Sequence, residues 1–309
     1  MLTVGSLFSG YLGLDLALKD TELKWVSDIE SGPCKLLQHR FPNVPNLGDI
    51  TQVDWSEVEP VDIITGGSPC TDLSTAGQRA GMGPDTKSGL WESMFCAIQE
   101  LRPSWVIWEN VNGAKSAKAY SDLGWTKGRV DERPETRKSA KEDRPLRALG
   151  RVLGDLASIG YDAVWTTVRA SDIGAPHHRA RVFVLAHPSG TRFQEPELSW
   201  STSTTNSPSD NDEGVSSLSS VFGRYAASVG QWGGVLGRQS PHPENLADNG
   251  EPRLDPVFVE WLMGLPKGWV TDLDLTYPEK IQLLGNGCVP QQAAYALNTL
   301  FELNRKLVD

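Results

Sequence analysis

Val61-Asp62-Ile63-Ile64-Thr65-Gly66-Gly67-Ser68-Pro69-Cys70-Thr71-Asp72-Leu73-Ser74 is the stretch on which the fold turns. Its first five residues read as a short buried strand, so the glycines form the turn at the strand's carboxyl end and Cys70 stands just beyond. In an open α/β sheet, ligands bind outside those carboxyl ends. The glycines let the backbone approach a substrate closely, and Pro69 fixes the path before the thiol. A lone cysteine reads first as a buried, inert thiol, because free Cys is among the most buried residue types. The surrounding segments shift that reading toward a presented nucleophile.

The same strand-then-turn pattern recurs along the chain. Residues 2–8 form a first strand, followed by a glycine turn at 9–13 and the start of a helix at 14–19. That succession opens many nucleotide-binding α/β units. A second strand at 23–27 ends at Asp28, 18 residues after Gly10, near the spacing at which an acid bonds ribose hydroxyls; a helix N-cap is the competing role for Asp28. A helix is expected over 31–40, and residues 48–51 form a strand end or turn carrying Asp49. A loop over 76–90 begins beside Cys70 and has the composition of a lid. A helix over 91–101 then places Met94, Phe95, Ile98 and Leu101 inward, and a strand at 104–108 delivers Glu109-Asn110-Val111 to the same rim as Cys70. Next come a helix at 146–159, a strand at 163–168 and the run Ala175-Pro176-His177-His178-Arg179-Ala180-Arg181 leading into a strand at 182–186. Arg179 and Arg181 share one face if that strand begins early.

Composition sets the outer bounds. With 309 residues, 39% hydrophobic and 22% charged, the chain can bury a large core. No apolar run approaches the roughly 20 residues of a membrane span, and no export signal opens the sequence, so a cytoplasmic protein without a membrane partner is expected. Cys34, Cys70, Cys96 and Cys288 are scattered, without the pairing of a zinc site or a disulfide framework; no metal is expected. The net charge of -10 disfavours a polyanion partner, yet residues 113–151 hold eleven Lys and Arg against six Asp and Glu. This basic insertion is either a solvated loop or a clamp on a nucleic-acid backbone.

With these segments in order, the chain resembles the DNA (cytosine-5)-methyltransferase family. Leu7-Phe8-Ser9-Gly10-Tyr11-Leu12-Gly13 is similar to its cofactor-binding motif, Gly48-Asp49-Ile50-Thr51 to the adenine-contacting one and Gly66-Gly67-Ser68-Pro69-Cys70 to the nucleophile motif. Glu109-Asn110-Val111, His177-His178-Arg179-Ala180-Arg181 and Gly285-Asn286-Gly287-Cys288-Val289-Pro290 are similar to later ones. The resemblance implies a Rossmann-like α/β S-adenosylmethionine-dependent methyltransferase sheet with a small target-recognition domain. It implies Cys70 as nucleophile, Glu109 on the base, Arg179 beside the base and Arg181 organising that group. For S-adenosylmethionine it implies Phe8, Gly10, Leu12, Gly13, Asp28, Ile29, Asp49, Ile50, Ser68, Leu90, Asn286 and Gly287. The partner implied is duplex DNA, whose target cytosine must leave the stack before chemistry can occur, and a monomer is expected, acting for a restriction pair or a virus.

The chain departs from the family pattern at Ser6, Leu12, Thr71, His177 and Gly287. Leu12 and Gly287 lie where the amino-acid end of the cofactor is implied, which leaves open a variant S-adenosylmethionine; an RNA substrate on the same scaffold is a further alternative. A catalytic and cofactor-binding domain is expected over 1–187 plus 280–309. A small, loop-built recognition domain is expected over 188–279, with Arg192, Arg224, Gln231, Arg238 and Gln239 as candidates for base contact. Within it, residues 232–236 read as a turn, and a helix entered at Asp255-Pro256 and stopped by Gly264 packs Phe258, Trp261 and Leu262 inward.

Overall fold

The computed structural model describes residues 1–68, 90–119, 146–191, 193–200 and 218–308. Cys70, expected as the nucleophile, the loop expected as a lid up to residue 89, most of the basic insertion and Arg192 lie outside the described residues.

Six strands form the central sheet: β1 (Leu2–Leu7), β3 (Thr21–Ser27), β4 (Ile63–Gly66), β5 (Trp105–Val111), β8 (Tyr161–Val168) and β9 (Arg181–Pro188). Their order is β3-β1-β4-β5-β9-β8. β3, β1, β4 and β5 pair in parallel, while β9 runs antiparallel to both β5 and β8. Short antiparallel pairs complete the strands: β2 (Leu18–Lys19) with β10 (Glu197–Leu198), β6 (Lys118–Ala119) with β7 (Leu146–Arg147), and β11 (Glu244–Leu246) with β12 (Pro252–Leu254).

The inner strands are apolar on both sides because both faces are covered. Ile64, Val106, Trp108, Val182 and Val184 face α2 (Trp91–Leu101) and α3 (Ala148–Ser158). The alternate residues Ile63, Trp105, Ile107, Phe183 and Leu185 face the last helix, α7 (Pro290–Val308). A third core joins α1 (Ser31–Arg40), the Tyr11-Leu12 turn, α4 (Ala226–Leu236), α5 (Pro256–Leu262) and α6 (Tyr277–Asn286).

Three expectations need correction. Residues 14–19 do not begin a helix: one 3-10 turn, Asp15–Ala17, is followed at once by β2, because β3 starts at Thr21 and leaves no room for further turns. The helix expected from 146 starts at Ala148, since Leu146 and Arg147 pair with β6. The turn expected at 232–236 is helix instead: the helical stretch that begins at 218, where periodicity was expected through 229, runs on to Leu236, and within α4 Trp232 is fully buried and its Nε1 donates to the Trp261 carbonyl at 3.1 Å. Burying two indoles outweighs the weak helix propensity of the glycines around them. The α5 reading holds at its start, where the Asp255 carboxylate caps Val257 N and Pro256 opens the first turn. Met263 is buried where Leu262 was expected; Leu262 is half-buried.

Candidate active site

The site lies where β1, β3, β4 and β5 end. After β1 the chain turns through three residues of positive φ, Phe8, Gly10 and Leu12, and this brings Gly10 N to the Asp28 carboxylate at 2.9 Å. The other Asp28 oxygen accepts Glu30 N at 3.0 Å. Because α1 is capped at Glu30 without a side-chain bond, Asp28 is not its N-cap. Burial raises the Asp28 pKa, partly offset by those two N–H groups. Beside it Ile29 is 68% exposed, an apolar surface open to a ligand. The 46–51 turn joins this edge through Ser27 Oγ to the Gly48 carbonyl at 2.7 Å, and Asp49 is held by Thr51 N at 2.9 Å.

Phe8, Ile50 and Leu90 pack on the core under this edge. Gly10 has room for a ligand against its α-carbon: a Cβ there would meet nothing nearer than the Phe8 carbonyl at 3.9 Å. An open glycine, an acid held by a backbone N–H and an exposed apolar side chain fit the ribose and base of an adenosine-containing cofactor such as S-adenosylmethionine.

β5 presents alternate side chains to opposite faces. Glu109 and Arg181 lie on the α7 side, diagonal to each other across the β5–β9 pairing, with Arg181 Nε 3.0 Å from Glu109 Oε1. Burial raises the Glu109 pKa, against which Arg181 and then Arg179 act. On the other side Asn110 Nδ2 donates to the Ser68 carbonyl at 2.9 Å, anchoring the residue two before Cys70. Arg179 does not share the strand with Arg181, because β9 begins only at Arg181. It sits at φ 29 and donates through Nη2 to the carbonyls of Gly285, at 2.8 Å, and Gly287. Its buried Nε–H finds no acceptor among the described residues. His177 Nε2 donates to the Leu262 carbonyl at 3.1 Å, and burial lowers its pKa.

The carboxyl end of the chain closes the same site. Gln292 Nε2 donates to the carbonyls of Val168 and Arg179, both at 2.8 Å, and the Tyr11 hydroxyl donates to the Cys288 carbonyl at 2.9 Å. A Cβ at Gly287 would lie 2.0 Å from the Tyr11 ring, and one at Gly13 2.1 Å from the Cys288 carbonyl. The departure at position 287 is thus a packing consequence of Tyr11. Leu12 is buried in the third core, so the face it turns to the cofactor edge is backbone; its φ of 64 is a conformation that costs a non-glycine residue about 1 kcal/mol or more. Among the base-reading candidates, Arg238 donates to the Leu265 carbonyl and is tied into the fold, and Gln231 lies against Gly174. Arg224 stacks over Tyr225 on the surface, and Gln239 is exposed.

Sequence reasoning passed over Asp15. Its carboxylate is buried between β1 and β4, accepting Thr65 Oγ1 at 2.6 Å and Ser6 Oγ at 2.9 Å. It occupies the neighbourhood of Ser6, where the family pattern has an acid, and its sequence signal is one charge inside the apolar run 12–18. Burial lifts its pKa from 3.8 to about 6, with the two hydroxyls opposing. The folded chain therefore favours the protonated form. That stability is fully present below pH 3.8 and is lost as pH rises through 6, a change of about 3 kcal/mol. Asp15→Asn is expected to be more stable than the parent at pH 8 and to flatten the difference between pH 4 and 7 in urea unfolding; identical pH dependence in the two proteins would refute this.

A mostly parallel sheet, a cofactor-type turn after β1 and an acid paired with arginine at the end of β5 define a Rossmann-like α/β fold with a ligand site at its carboxyl rim. Matched over residues 2–131 and 135–228 by the model of the C-5 cytosine-specific DNA methylase family, the chain belongs to that family. It is similar to the type II methyltransferase M.AquIA of Picosynechococcus, 30% identical over 203 residues that make up 62% of this chain and 74% of that one. It is also similar to M.NgoBV of Neisseria gonorrhoeae, 26% identical over 205 residues, 64% of this chain but 43% of the relative. The match therefore spans less than half the length of the second relative. In fold it is similar to the crystal structure of S. pombe Dnmt2 methyltransferase, with a TM-score of 0.61 and 15% identity, covering 98% of this chain and 99% of the other.

Proposed function

We propose that this protein transfers a methyl group from S-adenosylmethionine to C5 of a flipped cytosine in a short duplex DNA sequence. The observation that carries the reading is the Glu109–Arg181 pair, set one strand away from Ser68 and the Cys70 motif. Cytosine C5 is a poor nucleophile and needs covalent help. The Cys70 thiolate adds to C6, and Glu109, bonding N3 and the exocyclic amine, draws charge from the ring as the adduct forms. Burial favours the protonated Glu109 that such donation requires. Arg179, with its free Nε–H, offsets charge at O2, and Arg181 holds Glu109 in place.

Bound at the Gly10–Asp28 edge, S-adenosylmethionine supplies an electrophilic methyl on sulfonium. After C5 is alkylated, loss of its proton expels the cysteine and restores the ring. Phe8, Gly10, Leu12, Gly13, Asp28, Ile29, Asp49, Ile50, Ser68, Leu90, Asn286 and Gly287 are proposed to line the cofactor site, and residues 188–279 to contain the target-reading region. Tyr11 accounts for Gly287 by packing, which removes one of the two departures, Leu12 and Gly287, on which the variant-cofactor reading rests.

The test is nucleoside mass spectrometry of unmodified duplex DNA incubated with the purified protein and S-adenosylmethionine, with Cys70→Ala alongside. 5-Methylcytosine formed only by the parent is the expected result. Equal product from both would overturn the nucleophile assignment, and product on RNA alone would overturn the substrate.

A further inference from the structure

The sheet edge beside the cofactor-type turn is finished by a side chain. Residues 45–47 lie along β3 as a parallel bridge: Val26 N donates to the Pro45 carbonyl at 3.0 Å and Leu47 N to the Val26 carbonyl at 2.8 Å. One residue later the main chain leaves, turning at Gly48 with φ 72. In a parallel ladder every second residue of a strand bonds a given neighbour, so Asp28 is next in turn. Asn46 supplies what the departed main chain does not. Its Oδ1 accepts Asp28 N at 3.1 Å, and its Nδ2 donates to the Asp28 carbonyl at 3.0 Å. Oδ1 also accepts Gly48 N at 3.1 Å. From α1, Cys34 Sγ donates to the Asp28 carbonyl at 3.3 Å and accepts Asn46 Nδ2 at 3.4 Å.

Asn46 is exposed, so core filling does not account for it. A carboxamide carries an acceptor and a donor on one planar group, as a peptide unit does, and here it stands in for the missing step of the ladder. Ionised aspartate lacks the donor, and alanine lacks both. Asp28 offers its carboxylate from the main chain that Asn46 fixes, while Gly48 begins the turn that carries Asp49. One side chain therefore ties together the acid read as meeting the ribose and the acid read as meeting the adenine. Groups held in place before a ligand arrives need not be ordered when it binds.

We infer that Asn46 is a positioning residue for S-adenosylmethionine, its carboxamide locking the Asp28 main chain to the Gly48–Asp49 turn so that both acids stand ready together. This role rests on the cofactor reading given above.

The full-length parent is compared with Asn46→Ala and Asn46→Asp, and Asn46→Ala is also combined with Asp28→Ala. Calorimetry gives the dissociation constant for S-adenosylmethionine, single turnover on duplex DNA gives the rate at saturating cofactor, and hydrogen exchange without cofactor reports on residues 26–30 and 46–50. Asn46→Ala is expected to weaken cofactor binding about tenfold, the scale of one hydrogen bond. The saturated rate should stay within about twofold of the parent, and exchange should quicken in both windows. Asn46→Asp, which sets a second oxygen against the Asp28 carbonyl, should bind no better than Asn46→Ala. In the Asp28→Ala background the Asn46→Ala change should cost clearly less, because one of the acids it positions is gone. Parental affinity in Asn46→Ala or Asn46→Asp overturns the inference, as does unchanged exchange or a saturated rate that falls as far as the affinity. So does an undiminished loss in the Asp28→Ala background. A parent that binds no S-adenosylmethionine overturns the cofactor reading itself, and the role of Asn46 falls with it.

Discussion

Glu109→Gln is expected to reduce methyl transfer about a thousandfold while leaving DNA affinity within a few-fold of the parent. The side chain projects from β5 into the site with only 14% of its surface exposed, beside an Arg181 only slightly more open. In the proposed reaction its proton moves toward N3 as the thiolate adds. A glutamine can still bond the base but carries no transferable proton, and general acid catalysis is worth about 10²–10⁴-fold. The amide oxygen can still stand where Arg181 Nε meets the Glu109 carboxyl oxygen at 3.0 Å, so stability is expected to change little. Single-turnover methylation at saturating cofactor, paired with DNA binding at the same salt, separates the two effects. A rate within tenfold of the parent would show that Glu109 is not the acid.

Glu260→Ala is expected to lower stability by about 4 kcal/mol and the melting temperature by about 10 °C. Glu260 is an almost fully buried carboxylate on α5. It accepts Gly268 N at 2.7 Å, Val270 N at 2.8 Å, Thr271 N at 2.9 Å and Thr271 Oγ1 at 3.2 Å. Alanine strands three backbone N–H groups in the interior, and each unmade bond there costs about 1–3 kcal/mol. The consequence reaches the site, because the loop so held carries Trp269, whose Nε1 donates to the Tyr11 carbonyl at 2.9 Å. Arg40 lies over the same indole, 5.1 Å from its centroid. Weaker cofactor binding should therefore accompany the loss, measurable by calorimetry at 20 °C. Denaturant unfolding within 1 kcal/mol of the parent would show that the loop holds without its carboxylate.

The sheet was legible because its strands are apolar on both faces and end in glycine, acid or cysteine. Periodicity marks such runs without knowledge of their neighbours. Helices α1 and α2 were legible to the residue, α2 from its inward Met94, Phe95, Ile98 and Leu101. The segment 14–19 misled because its apolar spacing suits a helix, whereas the short path to β3 decides otherwise. Residues 232–236 misled in the opposite sense, since glycines that suggest a turn were overruled by the burial of Trp232.

The sequence by itself determined which residue types stand at the rim of the sheet among the described residues: the Gly10 turn after β1, Asp28 after β3, Glu109 near the end of β5 and the 177–181 run that leads into β9. What only the tertiary structure decided is how distant segments divide the work there. Arg181 took Glu109, and Arg179 took the carbonyls of Gly285 and Gly287. Tyr11 excluded a side chain at 287, and Asp15 supplied a buried acid beside Ser6. Local pattern depends on strand and helix periods that each segment carries alone; partner choice depends on volume and on the need of every buried polar group for a mate, and those are properties of the packed whole.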